Sequence, residues 1–216
     1  MATTRRGRPR SFDREAALVQ ATLLFWQHGY EGTSISDLTA AMGVSPPSLY
    51  AAFGDKRTLF TEVVERYGTT FGAFMERALA EESDPRAGFA RMLDEAAVSY
   101  TDPRHPAGCL VITAATNYSP QAADIERDLR ARRVTNVRLF EERLKDAVAR
   151  GSLPEGSDTR TLAVYFAAVV QGMSQQARDG ATTAELRRVA EHAMAAWPER
   201  PRGLPGDQSA GGSLSG

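Results

Sequence analysis

Between residues 13 and 64 the chain repeats one grammar: an oxygen-bearing side chain, an apolar pattern at helical spacing, then glycine. Asp13 opens a stretch that puts Ala17, Leu18, Ala21, Leu24 and Phe25 at helical spacing, and Gly29-Tyr30-Glu31-Gly32 closes it near His28. Ser34 with Asp37 three residues later has the form of a capping box before Ile35, Leu38 and Met42, and Gly43 ends that helix. Ser45 starts a third helix that Gly54 ends, and Asp55 caps a fourth carrying Leu59, Val63 and Val64. Short oxygen acceptors satisfy the orphan N–H groups of a helix start, and glycine supplies the backbone that stops one. Helices this short, two of them joined by Met42-Gly43-Val44-Ser45, make a helix-turn-helix arrangement.

The third helix has an unusual start. Pro46 and Pro47 follow Ser45 directly. Proline is tolerated in the first turn, where the missing N–H would have had no partner. Ser45 is therefore the N-cap, its hydroxyl accepting from a donor just beyond the prolines. Leu49 and Phe53, four apart, face the core, which turns Pro46, Pro47, Ser48 and Ala51 outward and leaves Tyr50 to one side.

Beyond residue 86 the helical patterns lengthen: 86–100, 109–118, 120–150, 158–179 and 183–197. Asp102-Pro103, Ser119-Pro120, Gly151 to Gly156 and Gly180 separate them. Nothing alternates with a period of two for long enough to propose a sheet, so the expected class is all-α. After Trp197 the chain is rich in Pro, Gly and Ser and is expected to be disordered. The organisation that results is a basic arm over 1–11, a helix-turn-helix head over 12–56, a helical body over 57–197 and a tail over 198–216.

Lys+Arg 26 against Asp+Glu 27 leaves the chain near neutrality, so overall charge does not point to nucleic acid. Distribution does more. Arg5, Arg6, Arg8 and Arg10 precede the first helix with no acid among them, the form of a solvated tail or of a minor-groove reader. One cysteine excludes an internal disulfide and a multi-thiolate metal site and suits a reducing cytosol. No apolar run is long enough to cross a bilayer and no secretory pattern opens the chain, so a soluble cytoplasmic protein with no membrane partner is expected. His28, His105 and His192 stand far apart, and no metal, nucleophile-elbow or phosphate-loop motif occurs. Neither an enzyme, a metal nor a cofactor is expected.

Phe12 to about Val64 resembles the TetR family of bacterial transcriptional regulators. The resemblance rests on Gly29-Tyr30, Gly32-Thr33, Gly43-Val44-Ser45, Leu49-Tyr50, Phe53 and Lys56 together. The departure from the family pattern is Pro46-Pro47, where residues with donors are usual. The resemblance implies a one-component regulator, a repressor in the first reading, that binds a double-stranded operator as a homodimer and is released by a small-molecule effector. It implies phosphate contacts at Thr33, Tyr50 and Lys56 and base-facing positions at Pro46, Pro47 and Ser48. Since the prolines offer no N–H, direct hydrogen-bond readout falls to Ser48 and Ser45, with apolar proline contacts, DNA shape and the arm (Arg5, Arg6, Arg8) supplying the rest.

The body is large enough to hold a cavity between helices, and Tyr100, Cys109, Tyr118, Phe140 and Met173 are candidates to line it, or ordinary core. Leu162 to Met173 is apolar nearly all round, and Leu186, Val189, Ala193, Met194 and Trp197 give the last helix an apolar stripe. The resemblance implies a dimer interface from these two helices, with Tyr165, Val169, Met173, Val189, Met194 and Trp197 in it; the alternative is internal core. An effector-independent dimeric DNA-binding protein also remains open. So does a redox or electrophile sensor built on Cys109: placed after Gly108 in the first turn of a helix, its thiol would be activated by the helix dipole. The alternative for Cys109 is burial as a small hydrophobe.

Overall fold

The computed structural model describes residues 13–199; Arg5, Arg6, Arg8 and the tail beyond Glu199 lie outside the described residues. Every regular element among the described residues is helical, in agreement with the all-α reading. The order is α1 (Arg14–His28), α2 (Ile35–Met42), α3 (Pro46–Phe53), α4 (Lys56–Thr69), α5 (Phe74–Glu81), α6 (Pro85–Tyr100), α7 (Leu110–Thr113), a 3-10 turn (Pro120–Ala122), α8 (Ala123–Ala149), α9 (Thr159–Arg178) and α10 (Thr183–Ala195).

The caps of the first four helices are those the side chains announce. Asp13 accepts from the Ala16 N–H, Ser34 and Asp37 form a reciprocal capping box, Ser45 accepts from Ser48, and Asp55 accepts from Thr58. Isolated helices of eight residues are unstable in water. α2 and α3 persist because Leu38, Leu49 and Phe53 are buried against α1 and α4, each contributing about 1.5–3 kcal/mol. Phe25 of α1 meets Phe60 of α4 edge-on, with ring centres 5.0 Å apart.

α4 serves two neighbourhoods. Its first turns close the head through Leu59 and Phe60, and Val63, Val64 and Tyr67 lie buried further along the helix. Behind it, α6, α8, α9 and α10 pack into a bundle centred on Phe89, which touches Phe140, Phe166 and Trp197.

Two departures from the sequence reading have plain causes. α5 has no oxygen-bearing cap: Ala73 stands at its N-cap without a side-chain hydrogen bond, so no local signal marks it. The segment 109–118 is not a continuous helix; it makes one turn, Leu110–Thr113, and then unwinds. Tertiary bonds occupy its backbone. The Cys109 N–H donates to the Ser174 hydroxyl, and the carbonyl of Ala114 accepts from the Tyr30 N–H at 2.8 Å. That second contact needs Gly29, whose φ of 74° and 2.9 Å approach of a would-be Cβ to the Ala114 oxygen leave no room for a side chain.

Candidate DNA-contact face and internal cavity

Ser45, Pro46, Pro47, Ser48 and Ala51 are all exposed on one side of α3, while Leu49 and Phe53 are buried on the other. The Ser45 and Ser48 hydroxyls lie 2.9 Å apart, so the pair acts as one hydrogen-bonded unit rather than two independent readers. Tyr50 is 48% exposed, and its carbonyl accepts from the Gly54 N–H at 2.9 Å to close the helix. A face of two prolines, two linked hydroxyls and a small alanine offers shape and apolar contact to a groove, with few donors.

Lys56 begins α4 beside this face. Its ammonium sits 4.4 Å from the centre of the Tyr30 ring, and burial lowers its pKa against the opposing pull of Glu31 and Asp37. Tyr30 is thus a cradle for the cation, a role the sequence did not suggest. Arg14 is a second one: its guanidinium lies 4.5 Å over the Phe53 ring, pairs with Glu62 through two bonds of 2.5 and 2.7 Å, and reaches the Ala52 carbonyl. It fixes the end of α3 to α1 and α4. Thr33 requires a correction. It is 0% exposed and its hydroxyl donates to the Gly29 carbonyl at 2.8 Å, so its side chain closes the α1–α2 turn and cannot meet a phosphate.

On the other side of α4 lies a cavity of about 650 Å³ between α4, α5, α7, α8 and α9. Val64 and Tyr67 come from α4, Met75 from α5, Cys109, Val111 and Ile112 from the α7 turn, Leu139 and Phe140 from α8, and Ala167 and Val170 from α9. Glu65, Glu76, Thr135 and Gln171 stand exposed around it. Arg133 buttresses the α7 turn, donating to the Val111 carbonyl at 3.0 Å and pairing with Glu126 at 3.3 Å.

Of the five residues expected to line a cavity, Cys109 and Phe140 do. Tyr100 and Met173 do not: both are fully enclosed in the bundle core, where large side chains fill the helix interfaces. Tyr118 stands 46% exposed on the loop after α7, away from the cavity wall. The activated thiol is also overturned. Cys109 is the N-cap of a helix of a single turn and is 3% exposed, and burial pushes its pKa up, with the Tyr67 and Tyr100 hydroxyls beside it. Packing wins over the helix end, because four residues carry little dipole and desolvation opposes the thiolate. Tyr67 and Ile112 were missed as wall residues, since nothing local distinguishes them from core.

The proposed dimer helices divide similarly. Tyr165, Val169 and Val189 line an open groove with Arg188, His192 and Ala193, and Met194 is half-buried. Met173 and Trp197 do not belong to this surface. Met173 is buried, and Trp197 packs on Phe89 and Phe166 while its indole N–H donates to the Ser152 carbonyl at 3.2 Å. Trp197 belongs to the core of the chain.

Residues 17–63 match the family model described as bacterial regulatory proteins, tetR family, and residues 87–194 match that of the tetracyclin repressor-like C-terminal domain. The HTH-type transcriptional repressor ComR of Escherichia coli (strain K12) is 40% identical over 195 residues, covering 90% of this chain and 93% of that protein. The HTH-type transcriptional repressor BdcR of the same organism is 33% identical over 180 residues, covering 83% and 86%. Among solved structures, a cysteine mutant of the TetR family transcriptional regulator CifR, complexed with 26-bp double-strand operator DNA, superposes with a TM-score of 0.85 at 41% identity, covering 89% of this chain and all of that one. Helix-turn-helix head, helical body and relatives agree: the chain belongs to the TetR family of bacterial transcriptional regulators.

Proposed function

We propose that this protein is a cytoplasmic transcriptional repressor that binds a pseudo-palindromic operator as a homodimer and is released when a small molecule enters the cavity beside α4. The head, 12–56, reads DNA; the body, 57–197, binds the effector and dimerises. One observation carries the reading: the helix that presents Lys56 beside the α3 face is also a wall of the cavity. α3 enters the major groove with Pro46, Pro47 and Ser48 toward base edges, Tyr50 and Lys56 hold phosphates, and the arginine arm adds minor-groove contact. The repressors among the relatives and the operator complex of CifR support the DNA partner.

Dimerisation uses the groove of α9 and α10. Val164, Ala168 and Gly172 are exposed along α9, and small residues there permit close helix approach. Two related heads then place their α3 helices about 34–36 Å apart, one turn of DNA, or a multiple of it.

Communication from cavity to head runs through the α7 segment as well as α4. Cys109, Val111 and Ile112 line the cavity, Ala114 accepts from the Tyr30 N–H, and the Ser119 N–H and hydroxyl donate to the Glu31 carboxylate at 2.6 and 2.5 Å. Tyr30 in turn cradles Lys56. A ligand that moves the α7 turn therefore bears directly on the phosphate-contact end of α4.

The decisive experiment is selection of bound fragments from random DNA, with light scattering of the free and bound protein. A palindromic consensus and a dimer are expected. A non-palindromic consensus, or a monomer at micromolar concentration with and without DNA, would defeat the reading.

A further inference from the structure

We infer that the cavity beside Tyr67 takes an uncharged, largely apolar small molecule; this rests on the effector reading above and specifies its ligand. The floor of the cavity is made of side chains that are themselves buried: Val64, Tyr67, Cys109, Phe140, Ala167 and Val170. None is a charged residue. Burial pushes the Cys109 thiol and the Tyr67 phenol up, so both are neutral near pH 7.

The charged groups of the wall stand elsewhere. Glu65 and Glu76 are exposed around the cavity. Arg133 is already committed to Glu126 and the Val111 carbonyl. Arg132 is half-buried and without an ion pair among the described residues, and it shares the lining with Glu65 and Glu76. An anionic ligand thus meets more negative than available positive charge around the cavity. A cationic ligand that passes the carboxylates finds none on the floor. On the floor either would surrender its hydration with no charged side chain to replace it, which a buried charge does not survive. Apolar surface meets the opposite balance, since it gains by leaving water. The Cys109 thiol with the Tyr67 hydroxyl against it supplies a weak donor and acceptor, enough to orient one neutral polar group on the ligand.

The test uses matched triples, each an alcohol, its carboxylate and its primary amine on one carbon skeleton: 4-phenylbutyl, octyl and 2-naphthylmethyl. Binding to the full chain is measured by calorimetry at pH 7, beside a thermal-shift screen of a general compound panel. We expect at least one alcohol to bind tenfold or more tightly than both charged partners. Ile112→Trp, which narrows the cavity, should weaken that alcohol tenfold or more, and Gln171→Trp on the exposed wall gives the same reading should the first variant fold poorly. A carboxylate or amine that binds as tightly as its alcohol, and loses binding in these variants, overturns the class of ligand while leaving the effector cavity in place. No binding by any alcohol also overturns it; if the general panel is silent as well, the effector reading falls with it.

Discussion

The DNA-contact head and the helical body share locally capped helices but differ in what holds the segments between them. In the head, side-chain oxygens close helix starts within three residues of themselves: Asp13, Ser34, Ser45 and Asp55 each hold a backbone N–H of their own helix. In the body, the α7 turn is held by bonds to residues far apart in sequence, such as the Ser174 hydroxyl with the Cys109 N–H, and the loop after it is tied to the head through the Glu31 carboxylate and Ser119. Local closure makes a small rigid unit with a presentable outer face. Long-range closure makes a wall whose shape depends on how two helices sit. The difference teaches why the outer face of the head follows from local sequence while the α7 wall follows from tertiary contact.

That contrast is open to attack. The largest effect is expected from emptying each core in turn. Phe89→Ala should cost about 3–5 kcal/mol and Leu49→Ala about 2–5 kcal/mol, read from urea unfolding. Leu49→Ala should also abolish DNA binding while ligand binding in the cavity survives. Loss of both activities in that variant would show head and body to be a single cooperative unit.

Breaking the long-range bonds should separate binding from response. Glu31→Gln leaves the head intact but weakens its hold on the loop at Ser119, so operator affinity should stay near wild type while the ligand-induced drop in affinity shrinks about fivefold or more. Fluorescence anisotropy on labelled operator, with and without ligand, measures both. An undiminished drop would place the coupling wholly in α4.

Within the head, phosphate and base contacts should part company. Lys56→Ala is expected to weaken all DNA sequences about equally and to lower the log–log salt slope by about 1. Ser48→Ala should instead shift base preference with the slope nearly unchanged. Identical slopes for both variants and wild type would remove Lys56 from the phosphate backbone.

The smallest effect concerns the buried floor of the body. Burial raises the pKa of Cys109, Tyr67 and Tyr100 above their unfolded values of about 8.5 for a thiol and about 10 for a phenol. Their contribution to stability is therefore full below pH ~8.5 and is lost as pH rises, because the unfolded chain ionises first. Stability should decline above pH ~8.5 by at most about 1.4 kcal/mol per pH unit for each group in play. Cys109→Ala should postpone the onset to near pH ~10. Alkylation of Cys109 at neutral pH should be slower than that of a model thiol; faster labelling would restore the reactive cysteine.

Much of the head was legible because its signals are short in range. A serine before two prolines, a serine three residues ahead of an aspartate, and glycine at each stop are readable without knowing what packs above them. The i, i+4 pair Leu49 and Phe53 then settles which side of α3 is outward. Thr33 was misread because a hydroxyl beside a turn looks the same whether it faces water or, as here, the Gly29 carbonyl. In the body, apolar periodicity located α6, α8, α9 and α10 but could not assign their faces. Trp197, Met173 and Tyr100 look in sequence like residues for an interface or a pocket, and the packing of neighbouring helices encloses all three.

The sequence by itself therefore determined an all-α chain, a capped helix-turn-helix and the outward face of α3, since each follows from backbone satisfaction and spacing within one or two turns. Tertiary structure decided the rest: that α7 is one turn, that Cys109 is a neutral floor residue, that Tyr30 cradles Lys56, and which α9 residues remain outside. Those outcomes depend on desolvation and on contacts between residues distant in sequence, 65 positions apart in the bond from Cys109 to Ser174. Local pattern carries no record of either.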